Sequence, residues 1–217
     1  MRTAAALFLV LVLAVAGLTG CSSYEKEPDA GNVDTLPGGS TGETDCSAAE
    51  RIHSLLLESG TDEEERFHAI LDALPDIDWT LYSKQYGTVG DDAAGAMDLL
   101  EWLANSPFTT QGDNMYKIFQ ATEGLDGVMA EQYGIIVGDF FRNGRERFVK
   151  LLARLDEQSI EEVCRFTAYN NYYHVEPEKA KQAAARLIEE TNLSDSERFV
   201  VDTLISAFDS YITEDSP

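Results

Sequence analysis

From Cys46 to the C-terminus, apolar residues return every three or four positions. No stretch alternates apolar and polar residues with the period of two that a half-buried strand requires. This pattern restricts the chain to helices packed on helices. Phe67, Ile70, Leu71 and Leu74 share one face, Ala93, Ala96, Met97, Leu100 and Leu103 a second, and Val128, Met129, Gln132, Ile136 and Phe140 a third. The pattern resumes at Phe148, Ile160, Ala180 and Val200. Punctuation agrees with it. Thr61 with Glu64 and Ser194 with Glu197 read as capping boxes, and Asp91-Asp92 as a helix start. Pro75 and Pro107 stop helices, and Pro177 occupies a first helical position. The expectation is an all-α domain over residues 46–213 with a short tail at 214–217. About eight to ten helices follow from the spacing of these signals, as a multi-helix bundle or a short irregular α-solenoid.

Three segments echo one another. Glu65-Arg66-Phe67, Glu146-Arg147-Phe148 and Glu197-Arg198-Phe199 each open an amphipathic helix, and the first two continue as FHAILDALPD and FVKLLARLDE. The pattern faintly resembles the helical hairpins of HEAT-type repeats, although the separations, 81 and 51 residues, set no fixed period. Gly134 and Gly138 stand in GxxxG spacing. Their flanks, Glu131-Gln132 and Asp139, are too polar for a membrane span, so the spacing predicts close packing against a neighbouring helix.

The first 45 residues follow other rules. Arg2 precedes an apolar run of 15 residues, Ala4 to Leu18, shorter than the roughly 20 residues a spanning helix needs. It closes on Leu18-Thr19-Gly20-Cys21, which resembles the lipobox of bacterial lipoprotein precursors. That resemblance implies a signal peptide over residues 1–20, a diacylglycerol on the Cys21 thiol, cleavage before it and acylation of the new N-terminus. It places the mature chain on the extracytoplasmic face of a bacterial membrane. Residues 22–45 are rich in Gly, Pro, Ser, Thr and acid without an apolar period, as expected of a disordered tether.

Charge excludes some partners. Asp and Glu number 39 against 16 Lys and Arg, a net charge of -23, which opposes binding to nucleic acid and to anionic lipid surfaces. Cys46 and Cys164 are an even pair in an oxidising compartment and can form a disulfide, which would add about 4 kcal/mol in the chain-entropy model. His53, His68 and His174 stand in no metal-binding spacing. No nucleophile elbow, phosphate loop or dinucleotide fingerprint occurs, so no catalytic residues, metal or cofactor are assigned. The segment that most invites a ligand is Tyr169, Asn170, Asn171, Tyr172, Tyr173 and His174, where aromatic faces alternate with amides suited to sugar or peptide. Trp79 and Tyr82 form a second aromatic group, expected between helices. The reading is a helical binding or scaffolding module, held to the membrane by its lipid, for an envelope protein or glycan. The alternative is an envelope hydrolase or metal-dependent enzyme using carboxylates with His68 or His174.

Overall fold

A computed structural model describes residues 47–174 and 177–214, apart from the side chains of 172–174, 213 and 214. Cys21, the tether and Cys46 lie outside the described residues. The described chain forms ten α-helices and no strand, a multi-helix bundle. In order these are α1 (Ala48–Leu57), α2 (Glu63–Ala73), α3 (Trp79–Tyr86), α4 (Ala94–Asn105), α5 (Asn114–Gln120), α6 (Gly127–Asn143), α7 (Arg145–Leu152), α8 (Glu157–His174), α9 (Pro177–Glu190) and α10 (Asp195–Glu214). A 3-10 turn, Leu74–Asp76, carries Pro75 directly after α2.

Local chemistry accounts for the ends. Ser47 and Glu50 exchange side-chain to backbone bonds at the start of α1, and Ser194 and Glu197 do the same at α10. At α2 the cap is Asp62, one residue beyond the expected Thr61. Its Oδ1 accepts from the amides of Glu64 and Glu65 at 3.0 and 3.1 Å. The carboxylate satisfies two orphan donors and brings negative charge to the first turn, which a threonine hydroxyl cannot do. At α4, Asp91 caps the turn before the helix by accepting from Ala93 N, and Ala93 itself occupies the cap position.

Two short helices lie where the sequence suggested none. α3 contains the aromatic group expected between helices, and α5 buries Met115, Ile118 and Phe119. At eight and seven residues, each is too short to establish a helical period.

The tertiary arrangement has two linked halves. α1 and α2 gather around the 3-10 turn, α3 packs on α4 and α1, and α5 connects that turn to α2 and α7. In the C-terminal half, α8 lies against α6, α9 and α10, and α6 reaches back to α4. Phe148 of α7 sits in the seam, with ring centroids 5.3 Å from both Phe119 of α5 and Phe141 of α6. Phe148 is fully buried, as is Phe67 in the matching position of α2. The preceding arginines also behave alike: Arg66 lies over the Trp102 ring and donates to Glu58 O, while Arg147 lies over Phe140 and donates to Thr110 O.

The GxxxG spacing does what its geometry allows. A Cβ on Gly134 would lie 3.1 Å from Phe166 O, and one on Gly138 would lie 2.9 Å from Asn170 Cγ and closer still to its Oδ1. α8 therefore packs directly on the backbone of α6. Gly138→Ala sets a helix-propensity gain of about 1 kcal/mol against a clash with a side chain that Arg142 holds in place. The clash dominates, and the variant is expected to lose about 1–3 kcal/mol in urea unfolding. A Gly138→Ala protein as stable as wild type would show that the two helices separate freely.

Two caps set an acid limit. Ser159 donates its amide and its hydroxyl to Asp156 at the start of α8, and Ser194 donates likewise to Glu197. These bonds, backbone first, hold both carboxyls below their ordinary range. A depressed folded-state pKa contributes stability above the unfolded value, and that contribution is lost as pH falls through the folded one. The caps therefore weaken below about pH 4. Asp156→Asn should show a shallower decline of melting temperature over that range, and a slope equal to wild type would remove Asp156 from the acid response.

Candidate functional site

The segment from Tyr169 to His174 forms the last part of α8. Its residues divide according to which way the helix turns them. Tyr169 is half-buried at the surface, with its hydroxyl donating to Glu131 Oε1 of α6 at 3.2 Å and its ring edge-on to Tyr211 of α10. Asn170 and Asn171 point inward and are buried. The side chains of Tyr172, Tyr173 and His174 lie outside the described residues.

Tyr169 forms the shared wall of two open clefts. One, about 230 Å3, is bounded by Ala130 and Glu131 of α6, Arg165 and Phe166 of α8, and Tyr211. The other, about 610 Å3, runs between Met97 of α4, Val128, Gln132 and Ile135 of α6, and Asn170. Val128 is 51% exposed on its rim. Apolar and aromatic residues line both clefts together with an amide at Gln132, a carboxylate at Glu131 and a guanidinium at Arg165. Such a mixture suits a chain segment that offers apolar side chains and hydrogen bonds together.

Asn170 borders the larger cleft, but both asparagines are buried and engaged inside the fold. Arg142 Nη1 of α6 donates to Asn170 Oδ1 at 2.8 Å and to Asn171 Oδ1 at 3.3 Å, and Asn171 Nδ2 donates to Thr167 O. The second arm of Arg142 pairs with Asp139. The amides thus tie α8 to α6 and are occupied in doing so. Burial lowers the Arg142 pKa from its usual value.

Trp79 and Tyr82 require a larger correction. Both are fully buried, so a partner cannot reach them. Trp79 Nε1 donates to Ala121 O at 2.9 Å, and its amide donates to Glu123 O, pinning α3 to the turn after α5. Tyr82 directs its hydroxyl toward His53 Nδ1 at 3.5 Å, and His53 stacks on Tyr86 with centroids 3.8 Å apart. Burial pushes the Tyr82 hydroxyl up and the His53 imidazole down. Aromatic residues with a polar end read as surface from sequence, but each finds its hydrogen-bond partner inside the fold.

The remaining candidates can also be placed. The Cys164 thiol is buried on α8 and faces Val200 O of α10 at 3.8 Å, and burial pushes its pKa well up. Its proposed partner, Cys46, lies outside the described residues. His68 is exposed on α2, 4.0 Å from Glu64 Oε1 one turn away. Among the described residues, no group of three His, Cys, Asp or Glu is arranged to hold a metal ion, and no helix is long and apolar enough to cross a membrane.

One feature of the site was not read from the sequence. Arg142, Arg145, Arg147 and Arg186 line a single cleft of about 460 Å3 between the α6–α7 junction and α9. The run FRNGRERF, with three arginines in an acidic chain, was the available signal. No protein-family model matches the chain, and no curated protein or solved structure is significantly similar to it.

Arg142 should be the structural centre of this region. Arg142→Ala leaves two buried amide oxygens without a donor and is expected to cost about 2–4 kcal/mol in chemical denaturation. Arg142→Lys, with one point charge in place of a fork, should recover only part of the loss. Full stability of the alanine variant would mean that solvent replaces the guanidinium.

Proposed function

We propose that the chain is a lipid-anchored, extracytoplasmic binding module that holds an envelope protein in the clefts on either side of Tyr169. The observation that carries this reading is the position of Tyr169 itself. It is an aromatic side chain, half in solvent, that walls two adjoining clefts and has a hydrogen-bonding carboxylate at its tip. Amphipathic tyrosines in such settings supply contact area at low entropic cost and recur at the centres of protein interfaces.

The rest of the sequence supports the same reading. The lipobox resemblance at Leu18-Thr19-Gly20-Cys21 supplies an anchor, and two or three acyl chains hold a protein to a bilayer where one does not. The anchor must act against the repulsion between an anionic surface and a chain of net charge -23. The tether at residues 22–45 gives the domain reach away from that surface. In the larger cleft Glu131 is the one charged lining residue, and within this negative field it favours a partner whose docking segment is basic and apolar, while in the smaller cleft Arg165 stands opposite in charge.

Crosslinking capture from native membranes, with the full-length acylated chain as bait, tests the proposal. Two variants probe the clefts. Tyr169→Ala removes the shared wall, and Val128→Glu places a charge on an exposed rim position without disturbing the core. Each should reduce recovery of one specific envelope protein by about tenfold or more, with the melting temperature of Val128→Glu unchanged. Cys21→Ala should lose lipid mass and the same prey. Recovery that is indifferent to both cleft variants would exclude this surface. Recovery of glycan in place of protein would transfer the clefts to the other ligand class.

A further inference from the structure

Four of the ten arginines in this acidic chain line one cleft: Arg142 at the end of α6, Arg145 and Arg147 at the start of α7, and Arg186 on α9. They fall into two pairs with different duties. Arg142 and Arg147 are held. The first is fixed by Asn170, Asn171 and Asp139, the second by the carbonyls of Thr110 and Gly112 and by the Phe140 ring. Arg145 and Arg186 are exposed, and among the described residues neither lies within 4.0 Å of a carboxylate oxygen. Both line the same cleft, one from α7 and one from α9. Two acids also line the cleft, Glu146 and Glu190, and Glu146 lies 3.9 Å from Lys150 Nζ. The walls therefore carry four guanidiniums against two carboxylates.

With Arg142 paired to Asp139, three guanidiniums still face two carboxylates across the cleft, and a concave site focuses the field of the charges that line it. Clustering like charges costs free energy unless an anion offsets it. The two exposed guanidiniums line the cleft from different helices, and that of Arg145 also lies 5.9 Å from the Phe141 ring centroid. A planar carboxylate is fully served by one bidentate fork, whereas a tetrahedral oxyanion can accept from two forks at once. We propose that this cleft binds a phosphate group between Arg145 and Arg186, with Arg142 and Arg147 as the fixed positive wall behind it. The volume of about 460 Å3 accommodates a phosphate together with a small esterified group such as glycerol. Free phosphate and a phosphorylated headgroup present the same chemistry to the arginines. The site is separate from the Tyr169 clefts and does not depend on the reading given to them.

Isothermal titration of the full-length chain in neutral detergent at low ionic strength tests the proposal. The probes are inorganic phosphate, glycerol phosphate, succinate, and detergent micelles doped with phosphatidylglycerol. The expected result is saturable one-to-one binding of at least one phosphate probe, weakening as salt is added. Arg145→Ala and Arg186→Ala should each weaken it by about tenfold or more, since each removes a charge-assisted contact. Arg145→Lys and Arg186→Lys should fall between wild type and alanine. Both sites are exposed, so melting temperatures should remain at the wild-type value. Binding of glycerol phosphate alone would identify an esterified ligand, and binding only to the doped micelles would identify a lipid headgroup. Three results overturn the proposal: no saturable binding of any phosphate probe, binding that survives in the Arg145→Ala/Arg186→Ala double variant, or succinate binding as tightly as phosphate.

Discussion

The seating of Asn170 against Gly138, closed over by the Arg142 guanidinium, is the contact on which the C-terminal half of the molecule depends. α8 can approach α6 this closely only because positions 134 and 138 have no side chain. The approach brings two amides into a region without water, and such amides need partners. One guanidinium from α6 serves both. With its polar groups satisfied, α8 presents Val163, Cys164 and Ala168 to the core, and α10 packs against it with Val200, Leu204 and Phe208. The surface clefts follow from the same arrangement. Tyr169 is the residue before Asn170, so fixing the amide inward fixes the ring outward.

How much of this was legible in the sequence depended on how far each residue's determining partner lay along the chain. Helices long enough to repeat their apolar period were visible, as was the close contact implied by two glycines four positions apart. Capping is local and was nearly right. Ser194 and Glu197 pair as expected, while the cap of α2 moved one residue because Asp62 reaches two amides. α3 and α5 were invisible because a helix of two turns shows no period, and both are held by packing. The aromatic residues were misplaced for a different reason. Trp79 is buried because Ala121 O, 42 residues away, accepts its indole proton. Asn170 is buried because Arg142, 28 residues away, meets its amide. Each looks like a surface residue until a distant group satisfies it, and no local rule supplies that group. Among the described side chains of the segment, Tyr169, with a partner at the surface, is the one that the fold leaves reachable.

The arginines show how a chain this acidic organises its few cations. Arg66 and Arg147 donate to backbone carbonyls, and Arg142 donates to amides. Five guanidiniums lie over aromatic rings, those of Arg66, Arg145, Arg147, Arg154 and Arg165, the closest being Arg154 at 4.1 Å from the Tyr116 centroid. Arginine is suited to this because its planar, weakly hydrated head stacks and donates in several directions, whereas an ammonium holds its water. The carboxylates are mostly left in solvent, where their pairing would contribute little in any case.

That division has a consequence for binding. With 39 acidic residues against 16 basic, the outer surface is strongly negative, and attraction to basic partners is long-ranged but unspecific. Specificity must then come from places where the negative field is interrupted. Two such places lie on neighbouring elements among the described residues: the clefts around Tyr169, and the arginine cleft at the α6–α7 junction. Arg142 links them, since it lines the second and bonds Asn170, which lines the first. A ligand that draws the Arg142 guanidinium toward the arginine cleft must do so against its bonds to Asn170 and Asn171. The two sites are therefore linked through one side chain, which cannot move toward a ligand without loosening the α6–α8 contact. Rigid, pre-formed recognition at both is what that constraint favours, because a site whose wall is also a core tie gains nothing from flexibility.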